Sequence, residues 1–399
     1  PPLQESPMTT FAKPGSTTPS SATPASAPTP PVRTAGGRVF NFNAGPSILP
    51  EEVIHQIQHD IWDFKNTGFG ILEHSHRAKP YDDLLAEVFA SVRQAGNVPA
   101  NFKILFMTGG STSQNVFVPM NLLQPGGKAD YLDTDYWSSR SIEDAAQAGF
   151  VPHVAWSGKS CNYTRIPAAP EINYSSPSTP YVHFTSNNTI YGTQWHTTPA
   201  VPAGVPLVCD ACSDIFSRPI DYSPYGLLYA SAQKNLGTTG ATVVLIREDV
   251  LDRTRKDLPR MFSYRNMIKE DSRPNTPPHF AIYTVGLMAK WIIAQGGLTA
   301  IAQRNAQKAK LIYDALDAHP GFYAPHAEKA SRSLMNIAFR LPSDALTEKF
   351  ITEALAHGID GTRGHRATGG IRVSTYNAFP IEGCQALAHF LHHFARANG

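Results

Sequence analysis

Four short apolar runs in this 399-residue chain end in residues suited to binding or chemistry. Lys103–Met107 leads into Thr108-Gly109-Gly110-Ser111-Thr112-Ser113 and then an apolar helical pattern. Glycines let a backbone approach a ligand closely, hydroxyls add donors, and the free N–H groups of a helix start attract an anion. The motif is neither a dinucleotide fingerprint nor a P-loop, since no Gly-Lys-Ser/Thr follows; a plain tight turn fits it equally. Ala129–Leu132 leads into Asp133-Thr134-Asp135-Tyr136-Trp137. An indole just past a strand either stacks on a flat heteroaromatic ring or fills the rim of a core. Leu207–Cys209 leads into Asp210. A carboxylate at the end of a buried strand is costly unless paired. A protonated pyridine nitrogen would pair it, as would a helix cap or a structural ion pair. Finally, Tyr229-Ala230-Ser231-Ala232-Gln233-Lys234-Asn235 precedes a glycine-rich turn and another apolar run. Poor solvation lowers a lysine pKa, which suits Schiff-base formation; a solvated loop lysine is the plain alternative. Together, the anion turn, the aromatic, the acid and the amine point to one phosphorylated, pyridine-type cofactor.

These residues need elements to hold them. Candidate strands are Lys103–Met107, Ala129–Leu132, Tyr181–Thr185, Leu207–Cys209, Leu227–Ser231 and Thr242–Ile246. Helical spacing marks Pro50–Phe64, Pro80–Ala95, Ser113–Leu123 and Ser138–Ala148. Such alternation predicts a mostly parallel sheet covered on both faces. Ligands then sit outside the carboxyl ends of the strands, where all four motifs fall. The pattern changes near Gly296–Gly297. A helix (Phe280–Gln295) gives way to another (Leu298–His319), then a strand (Leu334–Phe339), a helix (Asp344–His357), a strand (Ile371–Thr375) and a last helix (Ile381–Ala397). That is the pattern of a smaller α/β domain. The organisation expected is a disordered extension over 1–36, a segment over 37–50 joining the small domain, a large domain over 51–297 and a small domain over 298–399.

Composition narrows the function classes. A net charge of +2 gives no general case for nucleic acid, and no apolar run is long enough to cross a membrane. Residues 1–36 are rich in Pro, Ser, Thr and Ala, a composition that cannot bury enough apolar surface to offset ordering. The segment lacks the apolar core of a secretory signal. A cytoplasmic location is expected; the acid-poor, hydroxyl-rich extension leaves organelle import open. Asn162-Tyr163-Thr164 and Asn173-Tyr174-Ser175 match the glycosylation pattern by chance on this reading. The four cysteines form no disulfide framework. Cys209 and Cys212 make a C-x-x-C that reads as redox-active, as half of a metal site, or as two small strand-end residues. His389, His392 and His393 have metal-like helical spacing but no supporting carboxylate or thiol, so no metal is expected.

Further segments extend the set. They are Phe40-Asn41-Phe42-Asn43-Ala44-Gly45-Pro46, Ser75-His76-Arg77, Asn188-Thr189-Ile190-Tyr191-Gly192 and Ser217-Arg218-Pro219-Ile220-Asp221, then Asn275-Thr276-Pro277-Pro278, Gly364-His365-Arg366 and Gly369-Gly370-Ile371-Arg372. With Ala232-Gln233-Lys234-Asn235 they make the chain, from about Phe40 to its end, resemble the phosphoserine aminotransferases. Those belong to the class V, fold-type I aminotransferases that use pyridoxal 5'-phosphate (PLP). The resemblance implies a large domain built on a mostly parallel seven-stranded sheet, flanked by helices, plus a smaller C-terminal α/β domain. It implies transamination of 3-phosphohydroxypyruvate with L-glutamate, giving O-phospho-L-serine and 2-oxoglutarate. Lys234 would carry the cofactor and shuttle a proton. Asp210 would hold the ring nitrogen, Trp137 would stack on the ring, and Thr189 would bond the phenolic oxygen. Gly110, Ser111 and Gln233 would hold the cofactor phosphate, joined by Asn275 and Thr276 from the second subunit of a homodimer. His76, Arg77, His365 and Arg366 would take the substrate phosphate, with His365–Arg366 also crossing the interface, and Arg372 the α-carboxylate. Some relatives carry an arginine where this chain has Thr112, which removes one possible phosphate-binding cation. Competing readings are another class V aminotransferase, such as one using alanine or serine with glyoxylate, a class V desulfurase or lyase, and a non-catalytic binding protein on the same fold.

Overall fold

The computed structural model describes residues 32–399, which belong to one compact unit. Most of the extension read as disordered lies outside the described residues. Its last part makes contacts that the sequence reading does not anticipate. Val32 donates its amide to the His357 carbonyl at 2.9 Å, the Arg38 amide donates to the Thr34 hydroxyl at 3.0 Å, and Thr34 also hydrogen-bonds Glu51.

Seven runs form one sheet, in the order Phe102–Met107, Thr242–Arg247, Tyr225–Ser231, Leu207–Asp210, Val182–Thr185, Lys128–Asp133, Val151–Ser157. Thr242–Arg247 is antiparallel to both neighbours, and every other pairing is parallel. The central strands are Val- and Leu-rich without alternation because both faces are buried. Phe106, Val243 and Leu245 face one apolar cluster, with Leu85, Val88 and Ile292. Leu105 and Val244 face another, with Tyr131, Val208 and Tyr264. Val151–Ser157 escapes the sequence reading. Pro152 and His153 spoil its pattern, and both are tolerated because the strand lies at the sheet edge. Register aligns Asp210 with Thr185 and Tyr229, and Ser231 with Thr242, itself opposite Met107. The chemistry-bearing strand ends therefore share one edge.

Two glycines with left-handed φ, Gly296 at 95° and Gly297 at 73°, break the helices His279–Ala294 and Gly297–Asp317, which bend by 84°. Among the described residues no single helix is long and apolar enough to cross a membrane. Beyond the break, Ile371–Ser374, Asn336–Arg340 and Ala324–Pro325 form an antiparallel sheet. Phe40, Phe42 and Ile48 join Ile337, Phe350 and Phe394 in its core. Phe40–Asn41 pairs with Ile359–Asp360. The segment from Phe42 to Leu49 leads from this core to that of the large sheet and carries Ser47 over the lysine turn.

Candidate active site

Gly109 turns the chain at the end of Phe102–Met107 with φ of 93°; a Cβ there would meet the Ser113 side chain at 2.8 Å. This turn starts the Gly110–Leu122 helix three residues earlier than the apolar spacing suggests. The Ser111 amide donates to the Ser231 hydroxyl at 2.7 Å, and the two hydroxyls lie 3.0 Å apart. The Ser111 hydroxyl also lies 2.5 Å from the Cys212 sulfur. Opposite this turn, Trp137 starts the Tyr136–Gln147 helix and is 36% exposed.

Asp210 is buried, and its carboxylate accepts the Cys212 amide at 2.9 Å. Burial raises its pKa; the Cys212 amide and the Lys234 charge pull the other way. Lys234 donates from Nζ to the Thr189 hydroxyl at 2.8 Å. Its turn is pinned by Ser47, whose amide donates to the Gln233 carbonyl at 3.0 Å and whose hydroxyl donates to the Lys234 carbonyl. Gly110, Ser111, Trp137, Thr189, Asp210, Gln233 and Lys234 all line one cavity of about 620 Å³, counted with its open mouth. A larger cavity of about 1200 Å³ near Trp291 and Arg304 holds none of these converging groups.

Arg372 sits beside this cavity. Its guanidinium donates to the Thr189 carbonyl at 3.3 Å, and burial opposes its charge. The His365 ring lies 5.5 Å from that of Tyr136, next to Trp137. Burial, then Arg372 and Arg366, lower its pKa. Arg366 is exposed. The remaining residues of interest lie elsewhere in the subunit. His76 and Arg77 border a polar hollow with Arg273 and Lys269, and Arg273 donates to the His76 carbonyl at 3.0 Å. Asn275 and Thr276 are exposed, and Asn275 edges a separate pocket beyond Thr108.

Sequence reasoning misses several residues of the site. Ser231, Cys212, Asn187 and Thr185 line the cavity. Cys209 and Cys212 are free thiols that face different surroundings, Cys209 in an apolar cluster and Cys212 in the cavity. Burial pushes the Cys212 thiol up to about 11, so it stays protonated. Asp135 is fully buried, with one carboxylate oxygen lacking any partner. Among the described residues no cluster of His, Cys, Asp or Glu could hold a metal, and His392 hydrogen-bonds His319 at 2.9 Å.

The cavity suits a flat, phosphorylated pyridine. The buried Asp210 calls for a cationic N–H, Trp137 offers an open aromatic face, and the glycine turn brings amides and hydroxyls together.

The aminotransferase class-V family model matches residues 39–387. The chain is 47% identical over 359 residues to the phosphoserine aminotransferase of Geobacillus kaustophilus, covering 90% of this chain and 99% of the relative. Its structure is similar to that of a phosphoserine aminotransferase from Bacillus circulans subsp. alkalophilus, with a TM-score of 0.87, 43% identity, and 91% and 99% of the two chains covered. A PLP-bound phosphoserine aminotransferase from Trichomonas vaginalis superposes with a TM-score of 0.84 at 32% identity, over 89% and 99% of the two chains.

Proposed function

The chain belongs to the class V aminotransferases and, within them, to the phosphoserine aminotransferases, and on that premise we propose how its own residues divide the work. The reaction is the reversible PLP-dependent transfer of an amino group from L-glutamate to 3-phosphohydroxypyruvate, giving 2-oxoglutarate and O-phospho-L-serine for serine synthesis. When bound, PLP withdraws electrons from the substrate Cα and carries the amino group between the two half-reactions. Lys234 holds the cofactor between turnovers and moves the proton at the substrate Cα. Asp210 keeps a proton on the ring nitrogen. Trp137 covers one ring face, and Thr189 bonds the phenolic oxygen. The Gly110–Ser111 turn and Gln233 hold the cofactor phosphate. Arg372 takes the α-carboxylate common to both substrates, and His76–Arg77 and His365–Arg366 take the phosphate.

The observation that carries this reading is the convergence of Lys234, Asp210, Trp137 and the glycine turn on one cavity. We propose further that the enzyme is a homodimer with shared sites. Asn275–Thr276 is exposed and lines no part of this subunit's own cavity, which suits delivery to a partner's cofactor phosphate. His365 lies beside its own Tyr136 while Arg366 is exposed, which suits a position at such an interface. The half-reaction tests the substrate assignment. Phosphoserine should bleach the visible band of the holoenzyme, whereas alanine and serine should leave it nearly unchanged. Equal bleaching by serine would replace this reading with that of another class V aminotransferase.

A further inference from the structure

Asp135 is the N-cap residue of the Tyr136–Gln147 helix, and the Tyr136 and Ile190 amides are the backbone donors that face its carboxylate. One carboxylate oxygen turns to the Ile190 amide at 3.4 Å; the other is buried with no partner. Two cations lie in its field, Lys234 and Arg372, yet neither forms an ion pair with it. Both instead lean on Thr189, Lys234 on its hydroxyl and Arg372 on its carbonyl. The other titratable groups around it are Tyr191, Asp133 and, behind Tyr136, His365. Asp133 is engaged by the Ser139 and Ser157 hydroxyls at 2.6 Å each. A carboxylate so weakly hydrogen-bonded in such a place is costly. It is neutralised either by an ion pair, which the geometry withholds, or by a proton.

We propose that Asp135 makes substrate-carboxylate binding at Arg372 proton-coupled, taking up one proton as the anion docks. The inference rests on the reading of Arg372 as the carboxylate site. Before the anion docks, Arg372 partly offsets the burial of Asp135, as does the Lys234 nitrogen while it carries a proton. An anion on Arg372 cancels that help and adds a like charge nearby, so Asp135 holds its proton more tightly. Asp135 titrates in a useful range, since burial pushes its carboxyl up to about 7. The neighbours do not compete above that pH. His365 is lowered, chiefly by burial, and so stays neutral, while Tyr191 is raised and stays protonated. Asp135 is thus a positioning residue that acts through Arg372.

The test uses glutarate, a dicarboxylate without an amino group, titrated into the holoenzyme by calorimetry in buffers of different ionisation enthalpy. Above pH about 7, the wild type should take up close to one proton per glutarate, with Kd weakening by up to about tenfold per pH unit. Asp135→Asn keeps the shape and the acceptor for the Ile190 amide. In it, proton uptake should vanish and Kd should become flat with pH. Asp135→Ser, which retains a helix-capping residue, should behave likewise and serves if the first variant folds poorly. Undiminished uptake in these variants would give the proton to Lys234 and overturn the proposal. Glutarate binding unaffected by Arg372→Gln would be a different failure, overturning the carboxylate assignment on which the proposal rests.

Discussion

Replacing Asp135 by Asn should stabilise the protein, and increasingly so as the pH rises. The folded protein raises the Asp135 carboxyl from its ordinary 3.8 to about 7 because burial disfavours the charge. Between those values the native state holds a proton that the unfolded chain has released. Stability contributed by this group is therefore full below about 3.8, drains as the pH climbs toward 7, and is lost above. A rise of roughly three pH units, at about 1.4 kcal/mol each, sets the full loss near 4 kcal/mol. Asn never ionises, so it escapes the loss. Near pH 4 the two proteins should match, since protonated Asp and Asn have similar shape and hydrogen-bonding capacity. Between pH about 5 and 8.5, the advantage of Asn should grow by roughly 2–3 kcal/mol. Urea unfolding at matched protein concentration measures this, read as the difference in free energy at each pH. An Asn variant less stable than wild type at pH about 8.5 would refute the reasoning. It would mean that the ionised carboxylate is paired in solution, most simply with Arg372 or Lys234.

Other outcomes follow from the site. Borohydride reduction of the holoenzyme and peptide mapping should find the cofactor on Lys234; a label on any other lysine removes that residue from its role. Arg372→Ala should slow both half-reactions about ten- to a hundredfold, the effect of losing a charge-assisted hydrogen bond worth about 1.5–3 kcal/mol. Arg77→Ala should slow chiefly the phosphoserine half-reaction, and equal losses for both variants on both substrates would sink the division of roles. Hybrids of Lys234→Ala and Arg366→Ala subunits should regain activity, because one shared site collects both defects and the other neither. No gain over the parent homodimers, with hybrids shown to form, would place Arg366 in its own subunit's site.

Lys234, Asp210 and Trp137 are legible in the sequence because each follows a strand buried on both faces, whose apolar run is easy to see and whose end must face a crevice. The edge strand Val151–Ser157 is not, because one-sided pairing relaxes the demand for apolar residues and admits Pro152. The two thiols of Cys209-x-x-Cys212 look like a pair in sequence. They separate because Asp210 ends the strand and the chain turns back to place the Cys212 amide on its carboxylate. Ser231 stands in the quoted lysine motif, yet its partnership with Ser111 spans 120 residues, a distance no local pattern reports. The same holds for Asp135, which looks like an ordinary helix cap until its side chain is seen turned toward Ile190, 55 residues away.

Charge offers a reason why the residues proposed to bind the substrate phosphate lie apart from the cofactor cavity. Around that cavity Lys234 and Arg372 stand near Asp210 and Asp135, so little positive charge is left over wherever the two acids are ionised. The cofactor brings a phosphate, and the phosphorylated substrate brings another beside its carboxylate. Here Thr112 stands in the glycine loop, which supplies amides and hydroxyls but no cation. The missing positive charge must arrive from outside, and permanently buried arginines would be costly before substrate comes. Exposed turns avoid that cost. Arg77 and Arg366 remain hydrated until an anion is present, and Arg273 keeps the His76–Arg77 turn in place through the His76 carbonyl. On the proposed assignment, a substrate with a second anionic group would repay the loss of that hydration, and serine would not.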